Sequence, residues 1–199
     1  GWTETPTGTL ALVLAVDQLP RHFWRGEARA FLGDAKARVV ASVAIAKGLD
    51  PEKQEQIWFG GLLHDIGKIG IKRQILVKAD NLEPEEIEEV RNHTRFGHEI
   101  LKSVGGPIYK TAARIALRHH ERWDGKGYPD GVPGEEVPLE ARIVAVADVF
   151  DCITAGRPYR EARSHSEASD ELARFSGTQF DPELVELFLA EVLPNVSSG

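Results

Sequence analysis

His64 and Asp65 stand side by side in Gly60-Gly61-Leu62-Leu63-His64-Asp65-Ile66-Gly67-Lys68, and His93, the pair His119-His120 and Asp148 follow. Each lies in an apolar or turn-forming setting. Neutral imidazole nitrogens and carboxylate oxygens are the ligands that iron, manganese, cobalt, nickel or zinc accept, and a catalytic ion must keep positions open for water and substrate. A hydrolytic metal site is therefore the leading expectation. The Asp65 carboxylate has two oxygens and could bridge two metals. Lys68 follows it by three positions, so a persisting helix would turn its ammonium into the same cavity, where it could stabilise charge developing on a phosphate. His22, His98 and His165 read as hydrogen-bonded core residues, and Cys152 as a small core side chain.

These residues are carried almost entirely by helical patterns. Val39, Val40, Val43 and Ala44 form an apolar stripe closed by Gly48. Asp50-Pro51 is an N-cap followed by proline at the first helical position, and the helix it starts runs through Ile57, Trp58 and Leu62-Leu63 to the His64-Asp65 pair. Glu83-Pro84 opens a helix expected to contain His93 and to continue past Ile100-Leu101. Gly105-Gly106-Pro107 starts the next, which runs into His119. Pro138-Leu139 begins a helix apolar nearly all round and therefore central. Two further helical patterns, Glu167 to Phe175 and Pro182 to Leu193, finish the chain. Between the helix that runs into His119 and the one begun at Pro138, Trp123 to Val137 is a long Gly- and Pro-rich stretch, of the length that in a helical domain is usually functional.

Composition bounds the rest. The chain has 199 residues, 42% hydrophobic, enough for one domain with a substantial core. A net charge of −7 argues against a sequence-independent grip on duplex nucleic acid. A small phosphate ligand stays open, because bound cations supply charge that the residue count omits. One cysteine cannot form an internal disulfide, and Leu10 to Val16 is far shorter than the roughly 20 residues that span a bilayer. The expectation is a cytoplasmic domain with no membrane insertion. The absence of methionine suggests a piece of a longer protein.

Taken together, His64-Asp65-Ile66-Gly67-Lys68, His93-Thr94-Arg95-Phe96-Gly97, the run His119 to Pro129 with Gly127-Tyr128-Pro129, Ala147-Asp148-Val149-Phe150-Asp151 and Arg157-Pro158-Tyr159-Arg160 resemble the HD-GYP family of the HD phosphohydrolase superfamily. An HD pair alone is weak evidence. The pair, the double histidine and the Gly-Tyr-Pro loop in this order are specific.

The resemblance implies an all-α helical bundle with a Gly/Pro-rich loop, and hydrolysis of the bacterial second messenger cyclic di-GMP to pGpG or GMP by metal-activated hydroxide. It implies two divalent transition metals, with iron or manganese first and nickel, cobalt or zinc next. Asp65 would bridge them; His64 and Asp148 would hold one, and His93, His119 and His120 the other. Lys68 would sit at the scissile phosphate, Tyr128 would shape the mouth of the site, and Arg157 and Arg160 would contact phosphate or guanine. A GGDEF, sensory or receiver domain is the expected partner, and oligomeric state is left open. The expected organisation is a lead-in over residues 1–34, the HD-GYP domain over 35–193 and a tail over 194–199.

The chain departs from the family pattern at one point. Family members carry another histidine upstream of the HD pair, and Glu27 to Lys36 contains none. Glu27 or Asp34 could replace it with oxygen, leaving an enzyme whose first metal is less firmly held. Otherwise the chain is a degenerate, catalytically weak domain that binds metal or nucleotide as a sensor or interaction module. A nucleotidase acting on another phosphate ester is a third reading.

Overall fold

The computed structural model describes residues 35–78, 82–155 and 161–196. The lead-in, with Glu27, Asp34 and His22, and the segment carrying Arg157 and Arg160 lie outside the described residues. Within these, the chain is helical. The one strand-like feature is an isolated bridge between Ser176 and Phe180.

Helix α1, Ala35–Ala46, buries Val39, Val40, Val43 and Ala44. Gly48, at φ 72°, turns the chain into α2, Pro51–Leu63, where the Asp50 carboxylate accepts the Lys53 amide at 2.9 Å. The cap and the proline at the first position thus start α2 where the sequence places its start.

The helix does not persist to Lys68. It stops at His64, and Ile66–Gly70 forms a 3₁₀ turn. Close approach explains the break: a Cβ on Gly67 would lie 1.9 Å from the His93 carbonyl oxygen, so the backbone here is pressed against the next long helix. A four-residue helix α3, Arg73–Leu76, follows.

The helix expected to contain His93 is two. Helix α4, Pro84–Arg91, starts with a capping box between Glu83 and Glu86, and α5, His93–Val104, begins after Asn92. The Asn92 amide is shared between the Glu88 and Glu89 carbonyls, at 3.3 and 3.2 Å, and this tightened turn separates the two. Gly105 and Gly106, at φ 79° and 87°, then reverse the chain into α6, Pro107–Arg118. The central helix α7, Leu139–Thr154, buries Ala141, Ile143, Val144, Val146, Ala147, Phe150 and Ile153. Helix α8, His165–Arg174, is capped by Ser164 with Glu167, two residues ahead of the apolar pattern that signalled it. Helix α9, Pro182–Leu187, passes through a π turn over Phe188–Val192 into α10, Leu193–Val196.

Helix α6 is the hub on the site's side: α2, α5 and α7 all pack on it. One core cluster lies around Phe59, Leu63, Leu101, Ala112 and Ala116. The larger joins α1, α7, α8 and α9 through Val40, Ile143, Phe150, Leu172 and Leu184. Between them, the ends of α2 and α6, the start of α5 and the last third of α7 converge. His98 and His165, expected in the core, are half-buried at its edge: His98 Nδ1 lies 3.1 Å from the Ala113 carbonyl, and the His165 ring lies 5.4 Å from that of Phe150. Cys152 is only half-buried, so it sits at the margin of the core.

Candidate metal centre

Three histidines of the cluster are held at helix termini by backbone carbonyls of the preceding turn. His64 caps α2 and its Nδ1 lies 2.6 Å from the Gly61 carbonyl oxygen; His93 opens α5 with Nδ1 2.6 Å from the Val90 oxygen. His119 caps α6, its Nδ1 facing the Ile115 and Ala116 oxygens at 3.0 and 3.1 Å. A carbonyl can only accept, so Nδ1 carries the proton in all three rings. Each Nε2 is thereby turned inward.

Inside, one ligand atom each from Asp65, His93, His119 and His120 lies within 4.8 Å of the others. Asp65 Oδ1 is 3.4 Å from His93 Nε2 and 3.9 Å from His119 Nε2. Its other oxygen is 3.4 Å from His64 Nε2 and 2.6 Å from Lys68 Nζ. Asp65 thus faces two sets of groups with its two oxygens. Asp148, on α7, approaches His64 Nε2 to 3.6 Å and is ion-paired with Lys36 of α1.

The donor set passes a direct test of fit. The Nε2 atoms of His64, His93 and His119 and the Oδ1 atom of Asp65 are buried without a hydrogen bond. Unpaired buried polar atoms are costly, and three of the residues that carry them, Asp65, His93 and His119, belong to the group whose ligand atoms lie close enough together to share one cation.

Electrostatics agree on the side of the double histidine. Burial first, then the neighbouring imidazoles, hold His119 well below the usual histidine range, and burial with His93 brings His120 down to about 4. Burial likewise lowers His93. These rings are neutral near pH 7, the form that binds metal. His64 differs. Burial opposes its charged form, but Asp148 and Asp65 outweigh this and push it up to about 9. Burial also works against the carboxylates, yet His64 and Lys68 hold Asp65 far below the usual range, and His64 and Lys36 do the same for Asp148.

A pH dependence follows for metal-free protein. A folded-state pKa raised from 6.5 to about 9 contributes stability that is full below 6.5 and is lost as pH rises through 9. The melting temperature of chelator-treated protein is expected to fall between these limits, and His64→Gln to flatten that fall. An unchanged slope in the variant would place its source elsewhere.

The Gly-Tyr-Pro stretch lies against the ligands. The Tyr128 ring stacks on His120 at 4.7 Å between centroids, and the Arg91 guanidinium lies over the same Tyr128 ring, 5.1 Å from its centroid. Gly127 is obligatory: a Cβ there would meet the Arg122 amide nitrogen at 2.5 Å and the His120 carbonyl oxygen at 2.6 Å. The loop is pinned by buried Glu121, which accepts from Arg118 at 3.0 Å and from the Asp130 amide at 2.9 Å. Its far side is tied to the turn after α8, where the Asp124 amide donates to the Thr178 carbonyl at 2.8 Å.

A cleft of about 390 Å³ opens beside these residues, and His119, His120, Tyr128 and Asp148 share its wall with Arg91, Arg122 and Lys126. The sequence alone assigned these three cations no role. Arg122 and Lys126 flank the double histidine and the Gly-Tyr-Pro motif, a placement that could have drawn attention to them. Lys36 was passed over too, although it lies in the stretch searched for the absent histidine.

A helical bundle with a buried His/Asp cluster at converging helix ends is the arrangement of an HD-type metal domain. The chain belongs to the HD domain family, whose model matches residues 14–184. It is 46% identical over 147 residues to a cyclic di-GMP phosphodiesterase of Thermotoga maritima, an alignment covering 74% of this chain and 40% of that protein. It is 44% identical over 164 residues to the cyclic di-GMP phosphodiesterase response regulator RpfG of Xanthomonas campestris, covering 82% and 43%. The chain thus spans about two fifths of the length of these curated relatives. Among solved structures, a cyclic GMP-AMP specific phosphodiesterase of V. cholerae aligns with a TM-score of 0.61 at 22% identity, covering 82% of this chain and 44% of that one, which supports the fold. Among the described residues, no helix is long and apolar enough to cross a membrane.

Proposed function

We propose that this chain is the hydrolytic domain of a metal-dependent phosphodiesterase that opens cyclic di-GMP to pGpG or GMP. One observation carries the proposal: Asp65, His93, His119 and His120 bring four ligand atoms within 4.8 Å of one another beside a cleft bearing Arg91, Arg122 and Lys126. The names of the relatives at 46% and 44% identity supply the substrate.

These four residues would hold a divalent transition metal, for which their N and O atoms suit iron and manganese, as well as nickel, cobalt and zinc. Bound there, the ion supplies Lewis acidity toward phosphoryl oxygens and makes water acidic enough to act as nucleophile. The protein's own groups do the rest. The carbonyl-anchored rings hold their lone pairs in place without reorganisation, and Tyr128, sandwiched between His120 and Arg91, fixes the least anchored of them. Arg91 offers a planar, charge-assisted donor suited to a phosphodiester, Arg122, whose guanidinium is paired with Asp124 and Gln179, adds positive charge at the cleft wall, and Arg157 and Arg160 are proposed to add to them. Lys68 Nζ lies 2.6 Å from Asp65 Oδ2 and is 45% exposed, so the ammonium can orient the carboxylate and still meet a developing phosphorane charge.

Lys68→Ala is accordingly expected to lower turnover by about 100-fold, the scale of losing one transition-state donor. Metal content, measured by elemental analysis, should stay as in the parent. Loss of metal in that variant would assign Lys68 to assembly of the site instead. The function itself is tested by metal analysis of anaerobically purified protein together with product identification on cyclic di-GMP and 3′3′-cGAMP. Metal-replete protein that hydrolyses neither would overturn the proposal.

A further inference from the structure

We propose that the ammonium of Lys36 stands in for a second metal ion, so that this chain's centre is built to hold one cation, at Asp65, His93, His119 and His120. This deepens the reading above and rests on it.

The two halves of the cluster are furnished differently. On one side, four ligand atoms lie within 4.8 Å of one another, and neither His64 nor Asp148 belongs to that group. On the other, His64 Nε2, Asp65 Oδ2 and Asp148 Oδ1 face one another at 3.4 and 3.6 Å, and the same Asp148 oxygen is ion-paired with Lys36. Lys36 reaches it from the first turn of α1, its side chain only 18% exposed, with Asp148, Asp151 and Asp65 all attracting it. An ammonium has three donors and no lone pair, so it neutralises Asp148 as a cation would and cannot act as a ligand.

The placement of charge points the same way. Each carboxylate already carries an ammonium, Lys68 on Asp65 and Lys36 on Asp148. A second dication beside His64 and Asp148 would lie next to the Lys36 ammonium, which repels it. At this end of α1, the chain offers a fixed positive charge instead of a neutral donor.

Binding of Co²⁺ alone separates the possibilities, read by equilibrium dialysis and by visible absorption. The parent chain is expected to bind one Co²⁺, and His93→Ala to lose it. Lys36→His and Lys36→Met, the latter keeping the aliphatic stem, are expected to take up two, and adding Asp148→Ala to either should return the count to one. Circular dichroism establishes that each variant is folded. Two equivalents in the parent, or one in both folded Lys36 variants, would overturn the proposal while leaving the metal centre standing. No binding by the parent, or a count unchanged by His93→Ala, would instead overturn the centre itself.

Discussion

Replacement of Asp65 by alanine is expected to remove metal and activity together. Its Oδ1 atom serves the side of His93 and His119, while Oδ2 lies 3.4 Å from His64 and 2.6 Å from Lys68, so one truncation unties both sides. It also deprives His64 of a carboxylate that keeps it charged. Loss of a group that merely supports a ligand costs about 10- to 100-fold in metal affinity. Loss of Asp65 should exceed about 100-fold, the upper end of that range. Elemental analysis and hydrolysis of cyclic di-GMP read the two effects. Full activity in Asp65→Ala would sink the assignment of the site.

The second large effect is expected at a residue with no side chain. Gly67→Ala would put a methyl group 1.9 Å from the His93 carbonyl oxygen and 2.4 Å from the Gly97 amide nitrogen. Both obstacles are backbone, so nothing nearby can simply swing aside. Either α5 recedes, taking His93 from Asp65, or the 3₁₀ turn distorts and takes Lys68 with it. Overpacking of this kind costs about 1–3 kcal/mol. For a chain of this size each kcal/mol is worth about 2–4 °C in melting temperature. Metal affinity should fall in parallel. A variant with unchanged thermal midpoint and metal content would mean that the close approach of the two segments is not required.

Much of this architecture was legible because its signals are local. Asp50-Pro51 and Gly105-Gly106-Pro107 mark helix starts through cap and turn chemistry, and the structure starts α2 and α6 there. Asp65, His93, His119 and His120 come together in one group, with His64 and Asp148 beside it, and side chains of types that can ligate a metal stand out in a sequence by kind. What escaped depends on three-dimensional closeness. Nothing in Gly67 or Asn92 taken alone says that one helix stops at the HD pair or that another divides just before His93. Those breaks follow from backbone pressed on backbone and from a shared amide. Arg91, Arg122 and Lys126 look like ordinary solvated charges until the fold sets them along the wall of one cleft. Lys36 carried no signal of its own, because its reach to Asp148 depends on how α1 is rotated against α7.

The carbonyl anchors of the histidines have a mechanical side. Because Gly61, Val90, Ile115 and Ala116 lend these bonds from the ends of α2, α4 and α6, an ion held by Asp65, His93, His119 and His120 acts as a rivet through elements far apart in sequence. A ligand that binds only the folded chain stabilises it in proportion to the logarithm of its concentration over its dissociation constant, about 2.7 kcal/mol at a hundredfold excess. Starvation for metal would therefore weaken the seams of the bundle as well as silence it, and a chain that fails to load would be the one that proteases open first.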